Sequence, residues 1–275
     1  MPVMPGAEPF ASDPRDGSRD IGVVLSHGLT GTPQSMRAWG EYLAGEGVGV
    51  RGPRLPGHGT RWQDLNRTRW PDWYAEVERA VDDLRGEYRS VFVFGQSMGG
   101  TLTLRLAQER GDDLAGIALV NPSVTTLRRD AAIAPYIQWV VPWVPGVAND
   151  IRKPGVTELA YDRLPTRAAV SLTALWRLVR ADLPRVRCPV LLFHSPSDHV
   201  VEPVNSTLVL EGIGSDDVTD VVLSDSHHVA TLDNDAPTIF ADSLAFVRRV
   251  HADRTGVPTD SISGTTAGTT TGTTA

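Results

Sequence analysis

The feature that most constrains this chain is a series of short apolar runs separated by stretches with helical spacing. The runs show no strict alternation of apolar and polar residues, which is typical of strands buried on both faces of a sheet. Six of them are IGVVLS (21–26), VGV (48–50), SVFVFG (90–95), GIALVN (116–121), PVLLFH (189–194) and VTDVVL (218–223). Because helical patterns lie between them, we predict an α/β fold with a mostly parallel central sheet and helices on both faces.

The helical patterns are stripes of apolar residues spaced three or four positions apart. Thr32 followed by Pro33 is a good helix start, since a capping hydroxyl precedes a proline at the first helical position. The stripes are Met36, Trp39 and Leu43; Trp73, Val77, Val81 and Leu84; and Phe240, Leu244 and Val247.

The alternation of strands and helices stops between residues 122 and 185. This segment is rich in Pro, Trp and Arg, with a helix predicted over 166–183, and we interpret it as a small cap or lid inserted into a sheet. The last residues are low-complexity Gly, Thr, Ser and Ala, which cannot bury enough apolar surface to offset their ordering entropy. The predicted organisation is an N-terminal extension (1–19), a core (20–121 and 186–252), a cap (122–185) and a disordered tail (253–275).

Composition excludes several classes of protein. The 275 residues are 41% hydrophobic with a formal charge of −7, so a globular chain is expected and nucleic acid, which demands clustered Lys and Arg, is not. Cys188 is the single cysteine, which permits no intrachain disulfide. The N-terminus does not resemble a signal peptide, and no uncharged apolar run reaches the roughly 18 residues of a membrane span. We therefore predict a cytoplasmic protein without a transmembrane segment.

One serine, Ser97, lies in a motif that is typical of a catalytic nucleophile. Gly95-Gln96-Ser97-Met98-Gly99 matches the G-x-S-x-G nucleophile elbow and directly follows an apolar run. The elbow is a sharp turn from strand to helix, and it needs small residues two positions before and after the serine. TLTLRLAQER (101–110) is accordingly predicted as a helix, although its leucines alternate as in a strand. By itself the pattern also occurs by chance in loops.

A second motif, LSHGLTG (25–31), follows the first strand. A turn of this kind is the expected place for half of an oxyanion hole. The two backbone N–H donors would belong to Leu29 and to Met98, the residue after the serine. His27 should hold the loop.

A serine nucleophile also needs an acid and a histidine base, in the chain order Ser, Asp or Glu, His. Asp198 lies just past the carboxyl end of a predicted strand, where parallel sheets bind ligands, and Glu202 is a weaker alternative. His227 and His228 follow the last strand, and spacing alone leaves these two nearly tied. The remaining histidines are interpreted as structural or surface residues. No group has the linear spacing of metal ligands, and no glycine loop is typical of phosphate binding, so we expect neither metal nor cofactor.

Several long motifs, in order, resemble one family. LSHGLTGTPQSMRAWGEYLA, PRLPGHGTRWQDLNRTRWPDWYAEVE, FGQSMGGTLTLRLA, SDHVVEP and SHHVATLDND are similar to bacterial carboxylesterases and monoacylglycerol lipases of the α/β-hydrolase fold, over roughly residues 5 to 250.

The resemblance implies a role for individual positions. It implies His228 as the base, Asp198 as the acid, and Leu29 and Met98 as the oxyanion-hole residues. It also implies a cap residue, Glu158, that contacts the substrate head group, although an exposed helical glutamate is the simpler interpretation. Two positions depart from the family: Leu29, where Phe is frequent, and Gln96, where Leu is usual. The apolar run 133–147 could line an acyl channel, rest on a lipid interface or pack as core.

The function predicted from these features is that of a serine carboxylic-ester hydrolase. Its partners would be small acyl esters of short to medium chain, including monoacylglycerols, with a possible transient contact to a lipid interface. Alternatives are a thioesterase, a peptidase or a C–C hydrolase on the same fold, or a non-catalytic binding module. The sequence does not determine the oligomeric state.

Overall fold

The structure is a computed structural model that describes residues 2–147 and 149–256. Within them the chain forms a seven-stranded sheet and a separate two-stranded ribbon. The strands are β1 (Phe10–Ser12), β2 (Ile21–Ser26), β3 (Gly49–Gly52), β4 (Ser90–Gln96), β5 (Gly116–Val120), β6 (Trp143–Pro145), β7 (Arg163–Pro165), β8 (Val190–His194) and β9 (Val218–Val222). The α-helices are α1 (Gln34–Gly45), α2 (Trp62–Leu65), α3 (Trp70–Arg85), α4 (Met98–Arg110), α5 (Ala134–Ile137), α6 (Thr166–Asp182), α7 (Val204–Gly212) and α8 (Ala236–Thr255).

The large sheet is parallel except at one edge. Its order is β1-β3-β2-β4-β5-β8-β9, and β1 alone among these described strands runs antiparallel to its neighbour. All six predicted runs form strands of this sheet, which confirms the α/β class. The register aligns Ser26 with Gly95 and Gln96 with Val120. The carboxyl ends of β2, β4 and β5 therefore meet at one edge, where the loops that follow them are neighbours.

Helices cover both faces of the sheet, as the apolar runs predicted. Alternate residues of β4 enter two separate cores, with Val91 and Val93 on one side and Phe92 and Phe94 on the other. Helices α3, α4 and α6 complete the first core, and α1 and α8 complete the second. Burial on both faces explains why the sequences of β2, β4, β5 and β8 lack polar alternation. The same expectation was wrong for β9, which is mostly exposed because it lies at the edge of the sheet.

The leucines that alternate after the elbow lie in a helix, as predicted. Leu102, Leu104 and Leu106 belong to α4, which packs against the sheet and against α3 and α6. All three side chains are fully buried because this helix is enclosed on several sides. An enclosed helix needs no single apolar stripe.

The N-terminal segment is more ordered than the sequence indicated. The prediction of an extended, poorly ordered stretch over 1–19 missed β1, whose residues pair with Val50, Arg51 and Gly52 of β3. The Phe10 ring packs where Gly40 and Gly52 have no side chains: a Cβ at Gly52 would lie 2.2 Å from it. Three residues between prolines and aspartates carry too little pattern to predict a strand.

The C-terminal helix extends past the predicted end of the core at residue 252. Helix α8 ends at Thr255, and Gly256 follows with a φ of 71°. The N–H of Gly256 donates to the Ala252 carbonyl at 2.8 Å, which terminates the helix. The rest of the predicted tail, from position 257, lies outside the described residues. Helix α7 was also not predicted from the sequence.

The segment between β5 and β8 leaves the central sheet. It contains α5, the β6–β7 ribbon and α6. Helix α6 packs on α4 and α5, so the segment lies over the edge where the strand ends converge. Among the described residues, none of the helices is both long and apolar enough to span a lipid bilayer.

Candidate active site

Ser97 occupies a strained turn between β4 and α4. Its backbone has φ 56° and ψ −119°, a combination that a residue with a side chain rarely adopts. The two flanking glycines are sterically required. A Cβ at Gly95 would lie 2.3 Å from the backbone of Gly99, and a Cβ at Gly99 would lie 2.0 Å from the carbonyl oxygen of Ser26. The turn therefore has the form that the G-x-S-x-G motif predicted.

The loop after β2 lies against this serine. A Cβ at Gly28 would be 3.9 Å from Ser97 Oγ, and Leu29 lines the same cavity as Ser97. His27 is fully buried: its Nε2 accepts the Leu55 N–H at 3.2 Å, so its Nδ1 carries the proton and donates to the Gly28 carbonyl at 2.9 Å. Burial, reinforced by His58, lowers the pKa of His27 well below 6.5. The ring is neutral and holds the loop.

His58 braces the same loop from the other side. Its Nε2 lies 2.5 Å from the Leu29 carbonyl oxygen and its Nδ1 lies 3.1 Å from that of Pro56. Burial lowers the pKa of His58 to about 4 despite these contacts. The His58 contact fixes the peptide that follows Leu29, and the His27 contact with the Gly28 carbonyl fixes the peptide that carries the Leu29 N–H. Met98, whose N–H is free of intrahelical partners, begins α4 directly after Ser97.

Asp198 and His228 form a hydrogen-bonded pair at the edge of the cavity. His228 Nδ1 lies 2.7 Å from Asp198 Oδ2. The other carboxylate oxygen, Oδ1, accepts the N–H groups of Val200 at 2.8 Å and Val201 at 2.7 Å. Burial lowers the pKa of His228, but the Asp198 charge and hydrogen bond outweigh it and the pKa is raised above 6.5. The carboxylate thus fixes the orientation of the ring through Nδ1, so Nε2 is the nitrogen that can exchange a proton with another group.

The structure separates the alternatives that spacing left open. The carboxylate hydrogen-bonded to His228 is that of Asp198, whereas Glu202 Oε1 accepts the Leu127 N–H at 3.0 Å and so links the loop before α7 to the inserted segment. His227 lies near Asp150, with its Nδ1 3.5 Å from Oδ1 of that residue. Of the two adjacent histidines, His228 is the one paired with Asp198.

Two polar residues that the sequence did not assign hold the His228 loop. Asn121, at the end of β5 with a φ of 45°, donates to the His228 carbonyl at 2.9 Å. Gln96 accepts the hydroxyl of Thr231 at 2.5 Å, and both side chains are buried. Gln96, a departure from the family, therefore connects the elbow to the loop of His228. A side chain just past a strand end was the available signal for Asn121.

One cavity of about 440 Å³ brings the predicted residues together. Ser97, Leu29, Asp198, His228 and Glu158 all line it, whereas the Met98 side chain is buried beneath. Much of the remaining wall is apolar and comes from the inserted segment, including Ala134, Ile137, Val144, Leu164, Leu172 and Trp176. The volume is within the usual range of small-molecule sites, about 300–1,000 Å³.

Glu158 is neither helical nor exposed, contrary to its simpler interpretation. It lies half-buried in the loop between β6 and β7, and its N–H donates to Asn149 Oδ1 at 2.6 Å. Its carboxylate faces the turn after β2, since a Cβ at Gly31 would lie 2.5 Å from Oε1. Burial raises the pKa of Glu158, while the charge of His228 opposes that shift.

The apolar run 133–147 is not core. Ala134, Ile137 and Val144 line the cavity, while Tyr136 is 84% exposed and Trp139 is 70% exposed. The segment thus has one side toward the cavity and another toward solvent.

A strained serine turn on a parallel sheet, a buried Asp–His pair and an inserted segment over the strand ends define an α/β-hydrolase. A family model described as "Serine aminopeptidase, S33" matches residues 17–235, and the chain belongs to this family. It is 42% identical to the thermostable monoacylglycerol lipase of Bacillus sp. (strain H-257) over 89% of this chain and 96% of that relative.

Solved structures agree with this placement. One, described as "LipS and LipT, two metagenome-derived lipolytic enzymes", has a TM-score of 0.86 and 41% identity, and covers 90% of this chain and 100% of its own. The monoacylglycerol lipase of Paleococcus ferrophilus has a TM-score of 0.73 over 90% of this chain and 98% of its own; at 21% identity it shows the shared fold. The protein is a hydrolase of the carboxylesterase type.

Proposed function

We propose that the protein hydrolyses monoacylglycerols and related short- to medium-chain esters through an acyl-enzyme on Ser97. The observation that carries the proposal is the single cavity in which Ser97, the Asp198–His228 pair and Glu158 meet below an apolar wall. The 42% identical relative is itself a monoacylglycerol lipase, which favours an ester with a glycerol head group over an amide.

The chemistry follows from the roles of the three side chains. His228 Nε2 removes the proton from Ser97 Oγ as that oxygen attacks the ester carbonyl, and Asp198 holds the ring and stabilises the imidazolium. His228 then gives its proton to the departing alcohol as the C–O bond breaks. A water molecule repeats the sequence on the acyl-enzyme, releases the fatty acid and restores Ser97.

The N–H groups of Leu29 and Met98 bind the developing oxyanion in this proposal. Their placement is supported by the contact of His27 with the Gly28 carbonyl, which shares a peptide plane with the Leu29 N–H, and by the position of Met98 at the start of α4. Donors fixed in advance cost no reorganisation during the reaction, and loss of one such donor typically costs about 3 kcal/mol of transition-state stabilisation.

Glu158 would accept hydrogen bonds from the free hydroxyls of the glycerol head group. Its half-buried carboxylate lies beside the turn that carries Leu29, near the position of the leaving alcohol. Glu158→Gln should raise KM for monoacylglycerols more than for p-nitrophenyl esters, which have no hydroxyls to bind.

The segment 122–185 would act as a cap whose inner side holds the acyl chain. Its outer side exposes Ile133, Tyr136, Trp139 and Val140 in one stretch, which fits contact with a lipid surface. Trp139→Ser should lower turnover of monoacylglycerol presented in vesicles while leaving hydrolysis of a dissolved short-chain ester unchanged. We also propose a cytoplasmic location, since Cys188 is a buried free thiol; cell fractionation tests it.

The deciding experiment is a substrate panel run with wild type and Ser97→Ala. The panel comprises monoacylglycerols and p-nitrophenyl esters of increasing chain length, acyl-CoA and aminoacyl amides. We expect monoacylglycerols and short esters to be preferred and Ser97→Ala to lose nearly all turnover while remaining folded. Ser215→Ala, in the loop before β9, is the matched control and should be fully active.

Labelling by a fluorophosphonate separates the competing functions. Wild type should be labelled and Ser97→Ala should not. Preference for acyl-CoA or aminoacyl amides would instead indicate a thioesterase or a peptidase. Turnover by Ser97→Ala at the wild-type rate would refute the proposed nucleophile.

A further inference from the structure

Three side chains outside the Ser97–Asp198–His228 group converge beside it. They are Asp150 of the inserted segment, His199, which follows Asp198, and His227, which precedes His228. His199 Nδ1 lies 2.8 Å from Asp150 Oδ1, and His227 Nδ1 lies 3.5 Å from the same oxygen. The two imidazole rings are 4.6 Å apart at 83°. One potential ligand atom from each residue falls within 4.8 Å of the other two.

We propose that these three residues form a binding site for a divalent transition metal, with Zn²⁺ as the best fit. Two imidazoles and one carboxylate are ligands that Zn²⁺ favours, and a fourth position would be left for water. In a tetrahedral site with bonds of about 2.0–2.1 Å, neighbouring ligand atoms are about 3.3 Å apart. The two separations from Asp150 Oδ1 lie on either side of that value, and the ligand atoms of the two imidazoles lie within 4.8 Å of each other, so rotation of the histidine side chains would bring the three atoms around one ion.

The carboxylate is already held in the orientation that a ligand needs. Asp150 Oδ2 accepts the N–H of His199 at 3.0 Å and the N–H of His228 at 3.1 Å, which leaves Oδ1 facing the two imidazoles. Fixed partners of this kind orient metal ligands and strengthen binding. The Asp150 side chain is only 9% exposed and His199 is 61% exposed, so the site has a buried anchor and an open side for the ion.

A histidine–aspartate pair elsewhere in the chain shows how the three-residue cluster differs from an ordinary hydrogen-bonded pair. His194 Nδ1 lies 3.0 Å from Asp220 Oδ1, at a distance similar to that of His199 and Asp150. That pair is not part of any group of three potential ligands found among the described residues. The second imidazole is therefore what distinguishes the cluster of Asp150, His199 and His227 from a simple His–Asp contact.

Occupancy would join three segments that are distant in sequence. Asp150 lies between β5 and β8, while His199 and His227 lie in the loops that carry Asp198 and His228. The ion would thus fasten the inserted segment to both loops of the Asp–His pair without itself touching the scissile ester. Because such a site exists only in the folded chain, binding should stabilise the fold.

Zinc binding to the untagged, chelator-dialysed protein tests the proposal, measured by competition with a chromophoric chelator and by thermal unfolding. We expect one Zn²⁺ per chain and a rise in Tm of about 5 °C at a hundredfold excess of free metal over Kd. His199→Gln and His227→Gln keep a hydrogen-bonding side chain, and each should weaken binding by about tenfold or more. Co²⁺ should give the visible bands of a four-coordinate ion.

His194→Gln is the matched control, because it alters the comparison pair and should bind Zn²⁺ as the wild type does. Absence of stoichiometric binding would overturn the proposal. So would binding that survives both His199→Gln and His227→Gln, or binding that His194→Gln weakens to the same extent. Since the measurements are affinity and stability, their outcome is independent of ester hydrolysis.

Discussion

The two walls of the cavity are built in opposite ways. On the sheet side, Ser97 and Asp198 follow the buried strands β4 and β8, and His228 follows the exposed edge strand β9. Glycine contacts and hydrogen bonds hold the three residues. On the inserted side, α5 and the β6–β7 ribbon offer apolar side chains, several of which are partly exposed. The first wall determines where polar atoms lie, and the second determines the shape of the space. Substitutions should therefore abolish reactivity on one side and shift selectivity on the other.

The largest effect should come from Asp198→Asn on the sheet side. Because the N–H groups of Val200 and Val201 hold the side-chain oxygen at the Oδ1 position, the amide NH2 would replace Oδ2 and donate to His228 Nδ1. This favours the wrong tautomer, and kcat should fall by about 10⁴-fold. Ester hydrolysis and circular dichroism would measure activity and folding together. Glu202→Gln is the control and should retain activity within a few-fold. A larger loss in Glu202→Gln than in Asp198→Asn would reverse the assignment of the acid.

Gly99→Ala should be the most destabilising of these changes. Its Cβ would meet the Ser26 carbonyl oxygen at 2.0 Å, and neither backbone can retreat, because Ser26 pairs within the sheet and Gly99 lies in the first turn of α4. We expect a loss of about 3 kcal/mol or more in the free energy of unfolding, measured by denaturant titration. Gly45→Ala in α1 has nothing within 4 Å and should instead be neutral or stabilising. Equal stability of the two variants would contradict a close-packed elbow.

The loop of Leu29 should make stability depend on pH. His58 has a pKa of about 4 in the folded chain and about 6.5 when unfolded, so the unfolded state binds the proton first. Stability should therefore be unaffected above pH 6.5 and fall between pH 6.5 and 4, by up to about 1.4 kcal/mol per pH unit. His58→Gln should reduce this dependence in unfolding experiments without abolishing it, because the lowered pKa of His27 contributes a slope of the same sign. An unchanged slope in the variant would assign the effect to other groups.

Gln96→Leu should have a smaller effect on the same wall. It leaves the buried hydroxyl of Thr231 without its partner, which typically costs about 1–3 kcal/mol. Adding Thr231→Val should recover part of that loss, because both polar groups are then absent. Denaturant titration of the single and double variants gives the coupling energy. Strict additivity would show that the two side chains do not interact.

The smallest effect should appear on the inserted side. Ile137→Trp adds bulk to the apolar wall without touching Ser97, Asp198 or His228. We expect the optimum acyl chain to shorten, with hydrolysis of the shortest esters preserved within a few-fold. A chain-length series of kcat/KM is the measurement. Uniform loss across the series would mean that this wall also controls the reaction.

The same contrast explains which features the sequence could predict. Strand runs, the glycines around Ser97 and the Asp–His order are local patterns with strict steric or chemical requirements, and the strands and the strained turn were found where expected. Local sequence could not decide between His227 and His228, because the answer depends on which ring contacts Asp198, about 30 residues earlier in the chain. The catalytic roles themselves stay predictions.

The sequence analysis missed features formed by residues that are distant in sequence and meet only in the folded chain. No linear spacing predicts the contact of Asn121 with the His228 loop, because the two come from separate segments. The same holds for the cluster of Asp150, His199 and His227. Glu158 was misjudged as exposed because its burial arises from the turn at Gly31, far away in sequence. Strand β1 was missed because its stability comes from its partner and not from its own three residues.

Strand β1 also covers one edge of the parallel part of the large sheet. Phe10–Ser12 covers the outer border of β3, and the Arg37 guanidinium stacks over the Phe10 ring at 4.9 Å. Without this short cover, the backbone amides and carbonyls of β3 would stand open, a ready template for edge-to-edge aggregation. Three residues with little sequence pattern of their own thus satisfy the backbone groups along this side of β3.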